Sequence, residues 1–336
     1  MIPPAPPRAP FDGREFHNLD GVGAGRSLLD VLRWKLFDRA TPWPDHPAPD
    51  TALPDIAPAV QPGALATTFV GHSTFLLQFA GGINVLTDPV WSRRASPVSF
   101  TGPARYRPPA LDLASLPAIA VVLVSHGHYD HLDLPTLRRL EAAHAPLFLT
   151  GLRQGKLLRQ QGLRRVEELD WWQSHRFSPA GDAGAGASAA PLEITFTPAQ
   201  HWTARGLSRN GALWGGFWIK PIHGPGLRVF FAGDSGWGRH FGTIHEQLGT
   251  PDVAFLPIGA YAPRWFMRAQ HMNPDDAVQA HLALASRRSV AMHFGTFRLT
   301  DEGIDQPAQE LATSLAARGV SPELFTVPRF GETIRV

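Results

Sequence analysis

The chain has 336 residues, 43% of them hydrophobic and 18% charged, which is enough apolar material for a large core and too much for a disordered protein. A formal net charge of +2 and the lack of any basic run argue against nucleic acid as a partner. There is no cysteine, which excludes disulfide frameworks, thiolate nucleophiles, Cys-type zinc knuckles and iron–sulfur clusters, so any metal must be held by carboxylates and some of the 15 histidines.

In chain order, the opening MIPPAPPRAP lacks the apolar segment of a secretory signal. The longest strongly apolar run, Ala118 to Val124, is far below the ~20 residues that span a bilayer. The expectation is a soluble, cytoplasmic chain. Ser27 to Phe37 predicts a helix capped by Ser27. Its apolar residues Leu28, Leu29, Val31, Leu32, Trp34, Leu36 and Phe37 surround most of the axis, which suits burial against the body or a surface that meets lipid or a partner. Pro42, Pro44, Pro47, Pro49, Pro54, Pro58 and Pro62 follow too closely for a helix or a paired strand. Residues 1–65 therefore read as a Pro-rich arm with one helix, and 66–336 as one folded body.

Within that body Ala66–Val70, Thr74–Phe79, Ile83–Thr87, Ile119–Ser125, Leu192–Thr197, Leu227–Ala232, Val253–Pro257 and Ser289–Met292 read as strands. Pro135–Ala143 predicts a helix after an Asp133 cap. Pro274–Ala285 has Asn273 as cap and Asp275 and Asp276 in its first turn, and Pro307–Arg318 ends at Gly319. Strands alternating with helices predict a layered α/β protein. Residues 179–190, PAGDAGAGASAA, read as a loop.

The chemistry concentrates in Ser125-His126-Gly127-His128-Tyr129-Asp130-His131, directly after one strand and ahead of one helix. Residues two apart in an extended stretch point the same way, so His126 and His128 can grip one ion. The chain then turns, which lets Asp130 and His131 face a second. Other strands end on residues of the same kind: His201, Asp234 and His293. In α/β sheets ligand groups gather at the carboxyl ends of strands, so these outlying residues are expected to converge on the cluster.

This pattern resembles the metallo-β-lactamase superfold, whose signature is His-x-His-x-Asp-His with distant His, Asp and His residues. Longer strings are similar to one branch, the N-acylphosphatidylethanolamine-hydrolysing phospholipase D family. They are Gly71-His72-Ser73-Thr74, Leu86-Thr87-Asp88-Pro89, Arg94-Ala95-Ser96-Pro97, Trp214-Gly215-Gly216-Phe217, Pro257-Ile258-Gly259-Ala260-Tyr261, Pro263-Arg264-Trp265-Phe266-Met267, His271-Met272-Asn273-Pro274 and His293-Phe294-Gly295-Thr296-Phe297. The resemblance implies a four-layer αββα sandwich as the catalytic domain over residues 66–336. It also implies two zinc ions per chain, although manganese or iron suit the same donors.

On that resemblance His126, His128 and His201 hold the first zinc, Asp130, His131 and His293 the second, and Asp234 bridges the two. A hydroxide shared by the ions attacks the phosphodiester, with Asp130 and Asp234 as the carboxylates of the reaction. His271 matches a family histidine near the phosphate and would donate to an oxyanion or to the leaving group. Asp88 would orient a zinc ligand, and His72 would be structural, bonded to backbone within a turn. Trp202, Tyr261, Trp265 and Phe266 flank these segments as candidates for the wall of an acyl or headgroup pocket.

The implied reaction converts N-acylphosphatidylethanolamine to N-acylethanolamine and phosphatidate. The alternative is a soluble phosphodiester, lactone or β-lactam on the same centre, since a fold does not fix its substrate. The expected partner is a phospholipid or a small phosphodiester. Peripheral membrane contact and a homodimer are compatible with this reading, and nucleic acid is not expected.

Overall fold

Side chains of the first large sheet alternate between two apolar clusters. In the strand Val121–Val124, Val121 and Leu123 enter one apolar cluster while Val122 and Val124 enter another. That is the pattern of a strand whose two faces are both covered. The computed structural model describes residues 7–23, 26–45, 52–179, 190–206, 208–224 and 226–336. Pro47, Pro49 and most of the predicted 179–190 loop lie outside the described residues.

The first sheet takes β1 (Leu65–Gly71), β2 (Thr74–Phe79), β3 (Asn84–Thr87), β4 (Val121–Val124), β5 (Leu147–Gly151), β6 (Val166–Leu169) and β16 (Thr333–Arg335). Its order is β16-β1-β2-β3-β4-β5-β6, antiparallel up to β3 and parallel from β3 to β6. The second takes β7 (Ser174–Phe177), β8 (Leu192–Thr197), β11 (Gly216–Pro221), β12 (Val229–Phe231), β13 (Val253–Pro257), β14 (Ser289–Met292) and β15 (Phe325–Thr326). Its order is β15-β14-β13-β12-β11-β8-β7, parallel from β15 to β12 and antiparallel beyond. A short hairpin, β9 (Ala204–Arg205) with β10 (Ser208–Arg209), stands apart.

The inner faces of the two sheets share one core, where Phe75 of β2 meets Phe255 of β13 at 4.5 Å between ring centroids. Each large side chain buried there contributes about 1.5–3 kcal/mol, so this interface is the main stabilising layer. On the outer face of the first sheet, α2 (Leu134–His144) and α3 (Gly155–Gln160) seat Leu137, Leu140 and Leu158. Over the second lie α4 (His240–Leu248), α6 (Pro274–Ala283) and α7 (Gln306–Ala317), whose Phe241, Val278 and Leu311 join the main core. The result is the four-layer αββα sandwich.

The expected caps hold at two helices. Asn273 and Asp276 cap α6 reciprocally, with Pro274 in its first turn. Ser27 and Asp30 do the same for α1 (Leu28–Phe37). At α2 the cap position is Asp133, but its carboxylate makes no cap bond to the helix backbone. It accepts instead from Trp91 N–H, Ser92 N–H and Oγ–H, and Thr136 Oγ–H, tying the loop after β3 to the helix start.

Ahead of β1, residues 39–45 and 52–64 carry neither helix nor strand, as their prolines dictate. The N-terminal segment nonetheless lies on the body: Phe16 enters the main core, and Trp34 of α1 packs on Phe266 and Met267 of the neighbouring turn. Leu29, Leu32, Leu36 and Phe37 of α1 stay 56–79% exposed, so the helix buries one edge and shows an apolar face to the outside.

Candidate metal centre

Strand ends deliver the side chains. His126, His128, Asp130 and His131 follow β4, His201 follows β8, Asp234 follows β12 and His293 follows β14. Gly233 takes φ 63°, and a Cβ there would lie 2.7 Å from the Gly215 carbonyl oxygen and 2.9 Å from Ser125 Cβ. Only glycine lets the chain turn Asp234 inward at this point. Asp88, at φ 32°, and His293, at φ 62°, hold left-handed conformations despite their side chains. Such strain persists where the surroundings over-determine it.

His126 Nε2 lies 2.8 Å from His128 Nδ1, and His201 Nε2 lies 3.2 Å from the same atom. Asp234 Oδ2 stands 3.1 Å from His131 Nε2 and 3.2 Å from His293 Nε2. It is 4.0 Å from His126 Nε2 and 3.9 Å from His201 Nε2. Asp130 Oδ2 lies 3.4 Å from both His131 Nε2 and His293 Nε2. The seven residues singled out as ligands thus meet in one cluster of two halves with Asp234 between them. His271 is at its edge, with Nδ1 4.0 Å from Asp234 Oδ2 and its ring against that of His201.

Outer hydrogen bonds fix which ring nitrogens face inward. His201 Nδ1–H donates to the Gln270 carbonyl at 2.8 Å, leaving Nε2 with a lone pair. Asp88 Oδ2 accepts from His131 Nδ1–H at 2.7 Å and from Ser125 Oγ–H at 2.6 Å. With its hydrogen given to Asp88, Ser125 Oγ accepts from His126 Nδ1–H at 2.9 Å. Asp88 therefore stands where an orienting carboxylate is expected.

The charges divide between the halves. Burial, reinforced by His201, pulls His128 down to about 3, and burial pulls His201 down to about 4 against the attraction of Asp234. Burial also opposes charge on His293, but Asp234 and Asp130 overcome it and hold the ring at about 9. Asp234 itself is driven upward by burial, yet His131 and His293 keep it well below the ordinary carboxylate range.

The residues fit a pair of divalent ions. His126 Nε2 and His201 Nε2 both turn a lone pair toward His128 Nδ1, which can donate one hydrogen to only one of them, an arrangement that a cation shared by the three would satisfy in full. His131 Nε2, His293 Nε2 and Asp234 Oδ1 are buried without a hydrogen-bond partner, a rare condition for polar atoms. The ligand atoms of His126, His128 and His201 lie within 4.8 Å of one another, and so do those of His72, Asp130, His131 and His293. Imidazole and carboxylate are donors that zinc accepts.

Four residues are placed differently from expectation or were missed. His72 sits in the turn as expected, but its ring bonds no backbone group: Nε2 lies 3.0 Å from Asp130 Oδ2 and Nδ1 is without a partner. Asn18, which nothing in the sequence marks, accepts at Oδ1 from His201 N–H at 3.0 Å and from Trp214 Nε1–H at 3.2 Å. Of the aromatic candidates, Trp202 stands at the cluster, its ring 4.7 Å from that of His128. Tyr261 is buried, and Phe266 packs on Trp34 of α1, so these two sit in the body rather than on an open wall. Trp265 lines a groove of about 330 Å3 with Arg26, Trp237, Arg268 and Gln200, the last being the neighbour of His201.

This fold and donor set define a metal-dependent hydrolase of the metallo-β-lactamase type. A family model described as a beta-lactamase superfamily domain matches residues 83–294. The chain is 39% identical over 325 residues to an uncharacterized protein of Mycobacterium tuberculosis, covering 93% of this chain and 80% of that one. It is 39% identical over 263 residues to N-acyl-phosphatidylethanolamine-hydrolyzing phospholipase D 1 of Caenorhabditis elegans, covering 76% of this chain and 70% of that one. A metallo hydrolase from Ignicoccus hospitalis shares the fold at a TM-score of 0.59 and 22% identity, over 81% of this chain and 98% of that one. The chain belongs to the β-lactamase superfamily and, within it, to the branch of the N-acylphosphatidylethanolamine-hydrolysing phospholipases D. No helix among the described residues is long and apolar enough to cross a membrane.

Proposed function

We propose that the protein hydrolyses N-acylphosphatidylethanolamine to N-acylethanolamine and phosphatidate. The observation that carries this reading is Asp234 standing between two sets of three donors, in a chain 39% identical to a phospholipase of that specificity. His126, His128 and His201 would hold one ion, Asp130, His131 and His293 the other, and Asp234 both. Zinc suits these donors, and manganese or iron share them. When bound, such a pair lowers the pKa of a water and neutralises charge on a phosphoryl group.

The chain's own residues do the rest. Asp88, Ser125 and the Gln270 carbonyl orient His131, His126 and His201 through their outer nitrogens. His271, with Nδ1 buried and unpartnered beside Asp234, presents an imidazole to a phosphoryl or leaving oxygen. Trp202 closes the His128 side of the cluster.

Contact with a lipid surface belongs to the same reading. Leu29, Leu32 and Leu36 line one face of α1 at helical spacing, with Phe37 beside them, all exposed. Arg26, Arg33, Lys35 and Arg39 lie in or next to this helix against two acids, Asp30 and Asp38. An exposed apolar face on a helix of net positive charge suits the interface of an anionic bilayer. The helix is anchored on Trp265 and Phe266 by the bonds of Arg26 to their carbonyls, beside the groove that adjoins Gln200.

The test is hydrolysis of N-acylphosphatidylethanolamine in vesicles by zinc-loaded protein, with a chelated sample as control. Zinc-dependent release of N-acylethanolamine and phosphatidate in equal amounts is expected. No release from protein that carries two ions per chain would discard the lipid and direct the search to soluble phosphodiesters and lactones.

A further inference from the structure

We infer that His72 is a positioning residue for Asp130, which it holds by donating a hydrogen bond from Nε2 to the carboxylate. His72 and Ser73 form the two-residue turn between β1 and β2. At φ 58° His72 is in a conformation that costs energy for a residue with a Cβ. Its own contacts keep it there. The backbone N–H donates to Thr296 Oγ1 at 2.9 Å, and the carbonyl accepts from His293 N–H at 2.9 Å. The ring lies 4.1 Å from that of His293 and meets Phe297 edge-on at 5.2 Å. The β1–β2 turn is in this way locked to His293 and pushes one imidazole up against Asp130.

The chemistry of the contact is one-sided. An ionised carboxylate oxygen only accepts, so the hydrogen is on His72 Nε2, and Nδ1 is left as a buried atom without a partner. Asp130 Oδ2 can accept from His72 with one lone pair and turn the other toward His131 Nε2 and His293 Nε2, each 3.4 Å away. The Asp130 side chain is 13% exposed, whereas those of His131 and His293 are at most 1%. Asp130 is therefore the member of its half with room to swing outward, and His72 is the buried donor that prevents it. Orienting bonds of this kind, lost by mutation, cost 10–100-fold in metal affinity or activity.

This inference rests on the two-ion reading, and the experiment separates the two. Full-length wild type, His72→Asn and His72→Gln are titrated with zinc, bound metal is counted, and cobalt-substituted samples report the ligand field by their visible absorption. Melting of each metal-free protein is followed by circular dichroism. Asparagine tolerates the left-handed turn but is too short to reach Asp130, whereas the glutamine amide can donate to it. The expected result is two ions in wild type, one tight ion and one weakened about 10–100-fold in H72N, and recovery toward wild type in H72Q.

Fewer than two ions in wild type would overturn the two-ion reading and this inference with it. Two ions in wild type and an unweakened second ion in H72N would overturn the inference alone. If H72Q binds as weakly as H72N, the imidazole acts as a ligand or as packing and the hydrogen-bond role is refuted. An H72N that melts far below wild type and loses both ions alike would also refute it, since the role would then be structural.

Discussion

Asp88 is fully buried and surrounded by donors: Oδ1 accepts from Ser125 N–H at 2.7 Å, and Oδ2 accepts from Ser125 Oγ–H at 2.6 Å and His131 Nδ1–H at 2.7 Å. Asp88→Asn cannot satisfy these partners in either orientation. With the amide oxygen in place of Oδ2, the NH2 faces the Ser125 N–H and two donors collide. With the amide reversed, the NH2 faces His131 Nδ1. That ring must then carry its hydrogen on Nε2, the atom turned toward Asp130 and Asp234. A hydrogen bond to a charged group contributes about 1.5–3 kcal/mol, and a stranded buried donor costs about 1–3 kcal/mol. One of each gives a destabilisation of about 2.5–6 kcal/mol, which brackets the ~3–5 kcal/mol of a buried pair that loses one partner. Metal affinity should fall about 10–100-fold in the half that holds His131. Urea unfolding of the metal-free protein measures the first quantity, and zinc titration of the folded protein the second. A D88N protein within about 1 kcal/mol of wild type, the ordinary size of a mutational effect, that binds both ions with unchanged affinity would refute this account of how the centre is held.

Asp234→Asn removes the charge shared by the two halves, so turnover should drop on the order of 100-fold or more, with loss of bound metal; wild-type turnover in that variant ends the two-ion mechanism. Leu32→Glu with Leu36→Glu on α1 should abolish co-sedimentation with anionic vesicles and leave turnover of detergent-dispersed substrate unchanged. Each of those leucines contributes about 1.5–3 kcal/mol when buried, so a double variant that still sediments with lipid removes α1 from the docking surface. His240, buried and donating to Ser235 Oγ at 3.0 Å, is pulled by burial down to about 3. Below pH 6.5 the unfolded chain takes up the proton that the folded ring refuses, so this stability is present above pH 6.5 and is lost as pH falls toward 3. The loss is about 2 kcal/mol at pH 5. His240→Gln keeps a donor and does not titrate, so its metal-free melting temperature should fall less between pH 6.5 and 4; parallel curves would disprove the assignment.

What was legible in the sequence is what is local. His126 to His131 announce themselves because four donors stand within six residues of a strand end. His201 and Asp234 come shortly after a strand whose apolar run is plain, and His293 directly follows one. The strands that escaped notice are mostly edge strands, which bury one face and so mix charge into their pattern. Val166-Glu167-Glu168-Leu169 of β6 and Ser174-His175-Arg176-Phe177 of β7 bury little more than their ends. Partners that act across the chain leave no mark at all. Asn18 is 183 residues from the His201 backbone it holds. Gln270 contributes a carbonyl, which every residue has. His72 was legible as a turn residue, but its reach to Asp130 depends on how β1 and β2 meet the end of β14.

Tyr261 and Phe266 show the opposite error, in which closeness along the chain stood in for closeness in space. The turn α5 (Arg264–Met267) gives Phe266 and Met267 to α1, where Trp34 fills the seat and donates Nε1–H to Asp301. An indole with a partner for its N–H is the side chain best suited to that buried edge. Once Trp34 is seated, the rotation of α1 is fixed, and Leu29, Leu32 and Leu36 necessarily fall on the open side. A helix that is apolar nearly all round cannot reveal its buried edge by composition alone. The seat decides it, and leaving four large apolar residues in water forgoes about 1.5–3 kcal/mol for each. That sum is recovered only where something other than water covers the face. If the proposed lipid is the substrate, the bilayer that presents it is the surface expected to do so.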